Sequence, residues 1–274
     1  DFQPDTVVAP HPEDSHMDHW ATGAFTTLAV AMERQLPQPR LLLYLVHRGD
    51  FPLPRGDLPF APLLPPLRLV NDTVYWQKLT LPDELVETKG RAMEEYRSQL
   101  PLLGTFLRSF VRQNELFCEL TPPAVPWLVS DQEITPLPAQ WRTVDGSEVL
   151  PLLEDSIRDT VPQGIEGAAD FVALYVARTD TEGWVAAELR SRPSNLVAYS
   201  CLVRAANGEE ISKARILYPV RFLSRPRTQV RDHYILARFS LQELQAPHSL
   251  IVSLEARYLG GRTIDRIGWA LVRL

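Results

Sequence analysis

The stretch that decides the fold of the N-terminal half is TVVAPHPEDSHMDHWATGAFTTLAVAMERQLPQPRLLLYLVH, residues 6–47. It begins with a short β-branched run at residues 6–11 and ends with an aliphatic run at residues 41–47. The second run is apolar on both faces, as a strand inside a parallel sheet requires. Between them, residues 20–34 lack proline and repeat apolar side chains at every fourth position, which predicts a helix with one apolar face. The apolar row is Trp20, Ala24, Leu28 and Met32. A strand–helix–strand succession of this kind is typical of an α/β layer.

A proline-rich loop and three further elements complete the first 120 residues. Residues 51–69 contain six prolines, which predicts a long loop without regular structure, and loops of this length are often functional. We expect a strand at residues 74–81, a helix at residues 83–99 that Pro101 ends, and a second helix at residues 102–116.

The pattern changes after residue 120. Residues 121–138 are rich in proline and predict an extended linker. Residues 139–274 contain short strand-like runs separated by turn residues such as Asn207-Gly208, without intervening helices. The runs are residues 171–177, 184–190, 197–205, 215–223, 234–240, 250–258 and 267–272. Such a succession indicates an antiparallel sandwich or barrel.

Composition argues against several functional classes. The 274 residues carry a formal net charge of −6 and a pI of about 5.6, so we expect no nucleic-acid partner, which would require a basic face. We also expect no membrane span, because the longest aliphatic runs are far shorter than the roughly 20 residues that cross a bilayer. Only Cys118 and Cys201 are present, so no disulfide framework is expected. Glycine-rich nucleotide-binding motifs and serine-hydrolase motifs do not occur in the sequence.

Three histidines crowd into residues 11–19. If a helix begins near Ser15, His16 and His19 are three residues apart in its first turn and project on nearby faces. The positive end of the helix dipole disfavours an imidazolium, so both rings should be neutral near pH 7, and neutral imidazole is the form that binds a metal. Asp18 can accept the second ring N–H of a ligating histidine. The alternative is a capped helix with surface histidines, and two histidines alone do not complete a zinc site.

A resemblance to a known family begins in the same stretch. The segment Pro10-His11-Pro12-Glu13-Asp14-Ser15-His16-Met17-Asp18-His19 resembles the second signature of the PIG-L/LmbE family of zinc-dependent N-acetylglucosaminyl deacetylases. Later pieces follow in the family's order, namely Lys89, Ala92, Tyr96, Ser98-Gln99 and Asn114-Glu115-Leu116-Phe117. The resemblance covers residues 1–120 and implies the C-terminal part of such a deacetylase domain. The expected fold class is therefore a partial Rossmann-like α/β layer followed by an all-β antiparallel sandwich at residues 139–274.

The resemblance also implies a zinc cofactor and a role for each matching residue. His19 would be a protein ligand to zinc. His16 and Asp18 would serve catalysis, His16 at the developing oxyanion or the leaving amine and Asp18 beside the metal ligand. Two further residues, His11 and Asp14, would line the substrate pocket. Independently of the resemblance, His47 lies at the end of a predicted strand, where α/β proteins place ligand-contacting loops, so it would either reach the substrate or cap the strand. The implied reaction is hydrolysis of the N-acetyl group of an N-acetylglucosamine-containing small molecule or glycoconjugate.

Two departures from the family pattern matter. Met17 stands where the family has proline, and the family's first signature, Ala-His-Pro-Asp-Asp-Glu, is not found in this sequence. That signature supplies two further zinc ligands and the general base, so we expect a truncated domain with weak zinc binding and little deacetylase activity. Half a sheet would also leave the strands at residues 6–11 and 41–47 without partners, which predicts self-association.

A non-catalytic function is the alternative. A degenerate deacetylase domain could accompany a glycan-binding or assembly module, because aromatic side chains on a β-sandwich can stack on sugar rings. The aromatic residues on the expected strands are Trp184, Tyr199, Tyr218, Tyr234, Tyr258 and Trp269. Strand alternation nevertheless places most of these side chains at positions compatible with the sandwich core.

Overall fold

The computed structural model describes residues 3–32, 39–70, 74–129, 134–154, 166–206, 211–218, 228–258, 261 and 263–274. These residues form a mixed α/β chain in which strands outweigh helices. They divide into an N-terminal unit, Asp1–Val30 with Gln35–Thr121, and a C-terminal unit, Ala31–Arg34 with Pro122–Leu274. Among the helices of the described residues, none has the length and apolarity needed to span a membrane.

A four-stranded mixed sheet lies at the centre of the N-terminal unit. Its strands are β1 (Thr6–Pro10), β2 (Arg40–Tyr44), β3 (Val74–Thr80) and β4 (Asn114–Leu120). Their order is β1-β2-β4-β3. β1 and β2 are parallel, with Val8 opposite Leu42, and β4 runs antiparallel to both of its neighbours. Because β2 has a neighbour on each side, the expectation that it lacks partners is wrong. Among the described strands, β1 is at the edge of the sheet.

Three helices accompany this sheet, α1 (Met17–Met32), α2 (Asp83–Glu94) and α3 (Leu100–Arg108). α1 is the crossover that allows β1 and β2 to be parallel. The helix predicted at residues 83–99 ends earlier, at Glu94. Pro101 does not end it but lies in the first turn of α3, where a missing N–H breaks no helical hydrogen bond.

The helix predicted at residues 102–116 is wrong in its second half. α3 ends at Arg108, and residues 114–116 belong to β4. Asn114, Leu116 and Cys118 are buried and alternate with less buried neighbours, which is the period of a strand. All seven residues of β4 pair with β3, and this pairing outweighs the helical pattern of the local sequence.

Apart from a 3-10 turn at Leu67–Leu69, the proline-rich loop, residues 51–69, contains no helix and no extended strand. Two buried polar side chains hold it in place, one from the connection between α3 and β4 and one from the first residue of β4. The fully buried guanidinium of Arg112 donates to the carbonyl oxygens of Pro54 and Leu58. Asn114 exchanges two hydrogen bonds with the backbone of the same loop, at 2.8 and 3.1 Å. The loop therefore has a defined course despite its lack of regular structure.

In the part of the C-terminal unit that the structure describes, there are nine strands and a short α-helix. They are β5 (Leu153–Glu154), α4 (Glu166–Ala169), β6 (Phe171–Arg178), β7 (Glu182–Leu189), β8 (Val197–Ala206), β9 (Ile211–Tyr218), β10 (Thr228–Arg231), β11 (Tyr234–Ser240), β12 (Ser249–Tyr258) and β13 (Thr263–Arg273). One antiparallel sheet has the order β10-β11-β7-β6-β5 and the other the order β13-β12-β8-β9. Side chains of both sheets share one buried hydrophobic cluster that includes Phe171, Phe239 and Leu254. Of the strand predicted at residues 215–223, residues 219–223 lie outside the described residues.

The segment predicted to be a linker, residues 121–138, makes contacts within the C-terminal unit where it is described. Three isolated bridges join Ala124 to Arg273, Trp127 to Arg178 and Leu128 to Thr143. Leu128 and Trp141 also pack with Trp184 in a second buried cluster. The described part of this segment is therefore held against the β-structure that follows it.

Several aromatic residues considered for sugar stacking lie in the core. Trp184, Tyr199 and Trp269 are only 7%, 4% and 0% exposed. Tyr234 and Tyr258 are partly buried, and the side chain of Tyr218 lies outside the described residues. Trp184, Tyr199 and Trp269 are thus unavailable to stack on a ligand at the surface.

Candidate metal centre

The candidate site lies at the carboxyl ends of β1 and β2. Backbone hydrogen bonds hold together the segments that follow these strands: the His11 N–H donates to the Tyr44 carbonyl and the Ser15 N–H to the His47 carbonyl, both at 2.7 Å. Loops after the carboxyl ends of parallel strands are a common place for ligand binding. The topology therefore brings residues 11–19 and His47 to one edge of the sheet.

The carboxylate of Asp14 is the centre of the arrangement. Its side chain is fully buried and accepts hydrogen bonds from the backbone N–H groups of His16 (2.9 Å), Val46 (3.0 Å) and His47 (3.0 Å). Burial raises the pKa of the Asp14 carboxyl, but these hydrogen bonds and one from His19 outweigh burial and hold that pKa below its ordinary value. Asp14 is therefore a buried carboxylate that is ionised at neutral pH.

Two histidine rings converge on this carboxylate. The Nδ1 atom of His19 lies 3.1 Å from Oδ2 of Asp14, and Nδ1 of His47 lies 3.4 Å from Oδ1. The two Nδ1 atoms are 3.4 Å apart. Burial lowers the pKa of His47, and the nearby His19 and His16 lower it further, although Asp14 acts in the opposite direction. The His47 imidazole is therefore neutral near pH 7, as metal binding requires.

These donor atoms fit a small tetrahedral cation. Asp14, His19 and His47 form a group that could hold a metal ion. Two ligands bound at 2.0–2.1 Å to a tetrahedral ion lie about 3.3–3.4 Å apart, and the two Nδ1 atoms have this separation. His19 faces Oδ2 of Asp14 and His47 faces Oδ1, and one ligand atom from each of the three residues lies within 4.8 Å of the other two. Two imidazoles and one carboxylate also form a common donor set of catalytic zinc sites, in which a fourth position stays open. The residues present therefore fit zinc.

His16 lies beside this group. Its ring centroid is 5.1 Å from that of His19 and 4.9 Å from that of His47. Its Nδ1 atom accepts a hydrogen bond from the backbone N–H of Asp18 at 3.3 Å, so a neutral His16 carries its proton on Nε2. Asp18 is exposed. The ring of His19 contacts the carboxylate of Asp14 and not that of Asp18.

His11 is not part of the group of donors. It is 2% exposed and stacks on Trp76 with ring centroids 5.9 Å apart. Its Nδ1 atom accepts the backbone N–H of Glu13 at 3.0 Å. Burial and then the charge of Arg48 lower the pKa of His11 to about 3, with Asp14 opposing them. His11 is therefore a neutral, buried residue outside the group of donors.

The grouping of Asp14 and His47 with His19 is the feature that the sequence interpretation missed, since it considered both residues for the substrate and neither for the metal. One feature of the sequence pointed to this grouping. His47 ends the predicted strand that follows the β1–helix segment, and parallel neighbours end at the same edge of a sheet. Two later residues that resemble the family, Lys89 and Tyr96, are not among the metal donors. Lys89 pairs with Glu115 at 2.5 Å, and Tyr96 is 59% exposed.

Neither models of known protein families nor the sequences of curated proteins give a match to this chain.

Proposed function

We propose that the N-terminal unit binds zinc through Asp14, His19 and His47 and hydrolyses the N-acetyl group of an N-acetylglucosamine-containing substrate. The observation that carries the proposal is the convergence of Asp14, His19 and His47, which each offer one ligand atom within 4.8 Å of the other two. The likeness of residues 10–19 to a deacetylase signature supplies the reaction. In that reaction water adds to the acetyl carbon, the C–N bond breaks, and acetate and a free amine are released.

Each residue of the site has a distinct task in this proposal. Bound zinc supplies Lewis acidity, which polarises a carbonyl and lowers the pKa of a coordinated water. Asp14, kept ionised by backbone N–H groups, would hold the metal together with His19 and His47. The Nε2–H group of His16 would donate a hydrogen bond to the acetyl oxygen as negative charge develops there, and the proton lost by the attacking water would pass to the leaving nitrogen. Asp18 contributes through its backbone N–H, which fixes the tautomer of His16.

The proposal replaces the expectation that this polypeptide binds zinc weakly. That expectation counted His19 as the single aligned ligand. Asp14 and His47 belong to the same chain and give three protein ligands, the number usual for a catalytic zinc site.

We also propose a finer description of the fold. The parallel pair β1 and β2 with its crossover helix α1 supports a partial Rossmann-like layer in the N-terminal unit. The hydrophobic cluster shared by the two sheets supports a sandwich in the C-terminal unit. A glycan-binding role for that unit has less support, because Trp184, Tyr199 and Trp269 are buried in it.

Zinc titration of the full chain by calorimetry tests the metal site. We expect one zinc ion per chain, and a loss of at least about 100-fold in affinity in the double variant His19→Ala/His47→Ala. The matched control is His233→Ala/His248→Ala, which removes two histidines from the C-terminal unit. Unchanged zinc affinity in the first double variant would overturn the metal site.

Acetate release tests the reaction. The zinc-loaded chain should release acetate from N-acetylglucosamine glycosides, and His16→Ala should slow this release by about 10²–10⁴-fold while zinc affinity stays unchanged. Stoichiometric zinc binding without acetate release from any such glycoside would contradict the deacetylase proposal and leave the metal site standing.

A further inference from the structure

The turn that carries Asp14 closes on His11. The Asp14 N–H donates to the His11 carbonyl at 3.1 Å, which makes residues 11–14 a four-residue turn. Inside the same turn, the Glu13 N–H donates to Nδ1 of the His11 ring at 3.0 Å. The last two N–H groups of the turn are therefore bound by one residue, one through its backbone and one through its side chain. The conformation of this turn sets the direction in which the Asp14 side chain leaves the chain.

His11 is itself fixed to the sheet. Its N–H donates at 2.7 Å to the carbonyl of Tyr44, the last residue of β2. Its buried ring lies nearly parallel to that of Trp76 in β3, with an interplanar angle of 9°, and the Trp76 Nε1–H donates to the Leu69 carbonyl at 2.8 Å. The turn therefore starts from a residue whose backbone and ring are both held in place.

Nδ1 is the atom of the His11 ring that makes a polar contact. Among the described residues, Nε2 has no hydrogen-bond partner although it is buried, and an unpaired buried polar group costs free energy. An apolar ring would pack on Trp76 without that cost but could not accept the Glu13 N–H. Burial and the charge of Arg48 lower the pKa of His11 to about 3, so the ring is neutral, and the Glu13 N–H selects the tautomer with its proton on Nε2.

The turn is also tied to the segment that carries His47. The Glu13 carboxylate pairs with Arg48 at 3.2 Å, and the Ser15 hydroxyl and N–H both donate to the His47 carbonyl at 2.7 Å. Asp14 lies between Glu13 and Ser15 in the chain, and its own carboxylate accepts the His47 N–H at 3.0 Å. A change in the turn would therefore move this carboxylate relative to the other donors.

We propose that His11 is a positioning residue of the metal centre. It binds no metal itself, and its Nδ1 atom holds the turn that directs the Asp14 carboxylate at the zinc site. The proposal rests on the proposed function for the zinc ion. The position of Asp14 can also be followed without zinc, through the N–H groups of Val46 and His47 that its carboxylate binds.

Two substitutions separate the acceptor atom from the ring. His11→Asn keeps an acceptor oxygen near the place of Nδ1 and loses the ring, whereas His11→Phe keeps a ring on Trp76 and loses the acceptor. Zinc titration of the full chain by calorimetry should give an affinity near that of the wild type for His11→Asn and one about 10–100-fold lower for His11→Phe. His11→Leu, which has neither ring nor acceptor, repeats the comparison with His11→Asn without a phenyl ring to accommodate. The matched control is His233→Phe in the C-terminal unit, which should bind zinc as the wild type does.

Hydrogen exchange of the metal-free full chain gives a readout that a packing role would not change. In His11→Phe the amides of Val46 and His47 should exchange about ten-fold faster relative to the amides of β4, because the carboxylate that binds them is displaced. In His11→Asn their exchange relative to β4 should match that of the wild type.

The outcomes separate this proposal from the proposed function. Zinc affinity in His11→Phe that equals or exceeds that of His11→Asn overturns the positioning role, whether or not acetate is released. If the wild-type chain binds no zinc, the metal site fails, and the exchange of the Val46 and His47 amides decides the role of His11. Unchanged exchange of these two amides in His11→Phe would then overturn it.

Discussion

The buried carboxylate of Asp14 is stabilised by hydrogen bonds that replace water. Its oxygens face three backbone N–H groups and the rings of two histidines. Burial of a carboxylate is unfavourable unless hydrogen bonds replace water, and here the backbone replaces it. The same carboxylate therefore stabilises the turn before α1 and completes the donor set of the candidate metal centre.

The substitution Asp14→Asn should damage both roles. An amide would direct an NH₂ group at backbone donors, so we expect the free energy of unfolding to fall by about 2–3 kcal/mol and zinc affinity to fall about 10–100-fold. Chemical denaturation and zinc titration measure the two effects. Asp180→Asn, at an exposed residue of the C-terminal unit, is the control. Full stability and full zinc affinity in Asp14→Asn would show that the carboxylate is dispensable.

For individual helices and strands, the periodicity of the sequence predicts the conformation correctly where local preference and tertiary packing agree. The apolar row of Trp20, Ala24, Leu28 and Met32 lies in α1, and the predicted strands on either side of it overlap β1 and β2. Periodicity failed at residues 114–116, where pairing with β3 decides the conformation. Periodicity also could not predict the contact between His47 and Asp14. That contact depends on which strands are neighbours, and strand order is not a local property of the sequence.

One strand contact gives a sharp prediction for Gly183 in β7. A Cβ atom at this position would lie 2.2 Å from Cζ of Phe239, whose ring is 2% exposed in the core of the C-terminal unit. Gly183→Ala should therefore lower the free energy of unfolding by about 2–3 kcal/mol, as measured by denaturation. Gly49→Ala, with no atom within 4 Å of the new Cβ, should change it by less than about 0.5 kcal/mol. In a chain that also carries Phe239→Leu, Gly183→Ala should lower the free energy of unfolding by less. A loss of the same size in that chain would argue against a clash with the Phe239 ring.

In the molecule as a whole, two buried carboxylates, one in each unit, are stabilised in different ways. In the N-terminal unit the backbone solvates Asp14, whereas in the C-terminal unit arginines neutralise Glu255. Glu255, 2% exposed in β12, lies 2.7 Å from Arg257 and 2.5 Å from Arg266. Burial raises the pKa of the Glu255 carboxyl, but these arginines and Thr263 outweigh burial and hold the pKa below its ordinary value of 4.5.

The Glu255 cluster predicts how acid acts on the C-terminal unit. Since the pKa is lower in the folded than in the unfolded chain, the stabilisation is fully present above about pH 4.5 and is lost as the pH falls through the lowered value. Glu255→Gln should reduce the free energy of unfolding at pH 7 by about 3 kcal/mol and flatten its decline below pH 4.5. Glu243→Gln, at an exposed residue, should keep the wild-type profile. If the free energy of unfolding of Glu255→Gln and of the wild type fell in parallel below pH 4.5, Glu255 would not contribute to the acid sensitivity.

The compact spacing of the metal donors has a consequence for the order of folding. Asp14 and His47 are 33 residues apart in the chain, and His19 lies between them, so only one short loop has to close before all three donors meet. The entropy lost in closing a loop grows with its length, and local contacts form early in folding. An ion captured at this stage would join β1, α1 and β2 before β4, whose residues lie much later in the chain, adds to the sheet. Zinc present during refolding should therefore accelerate the formation of this segment as well as stabilise the finished protein.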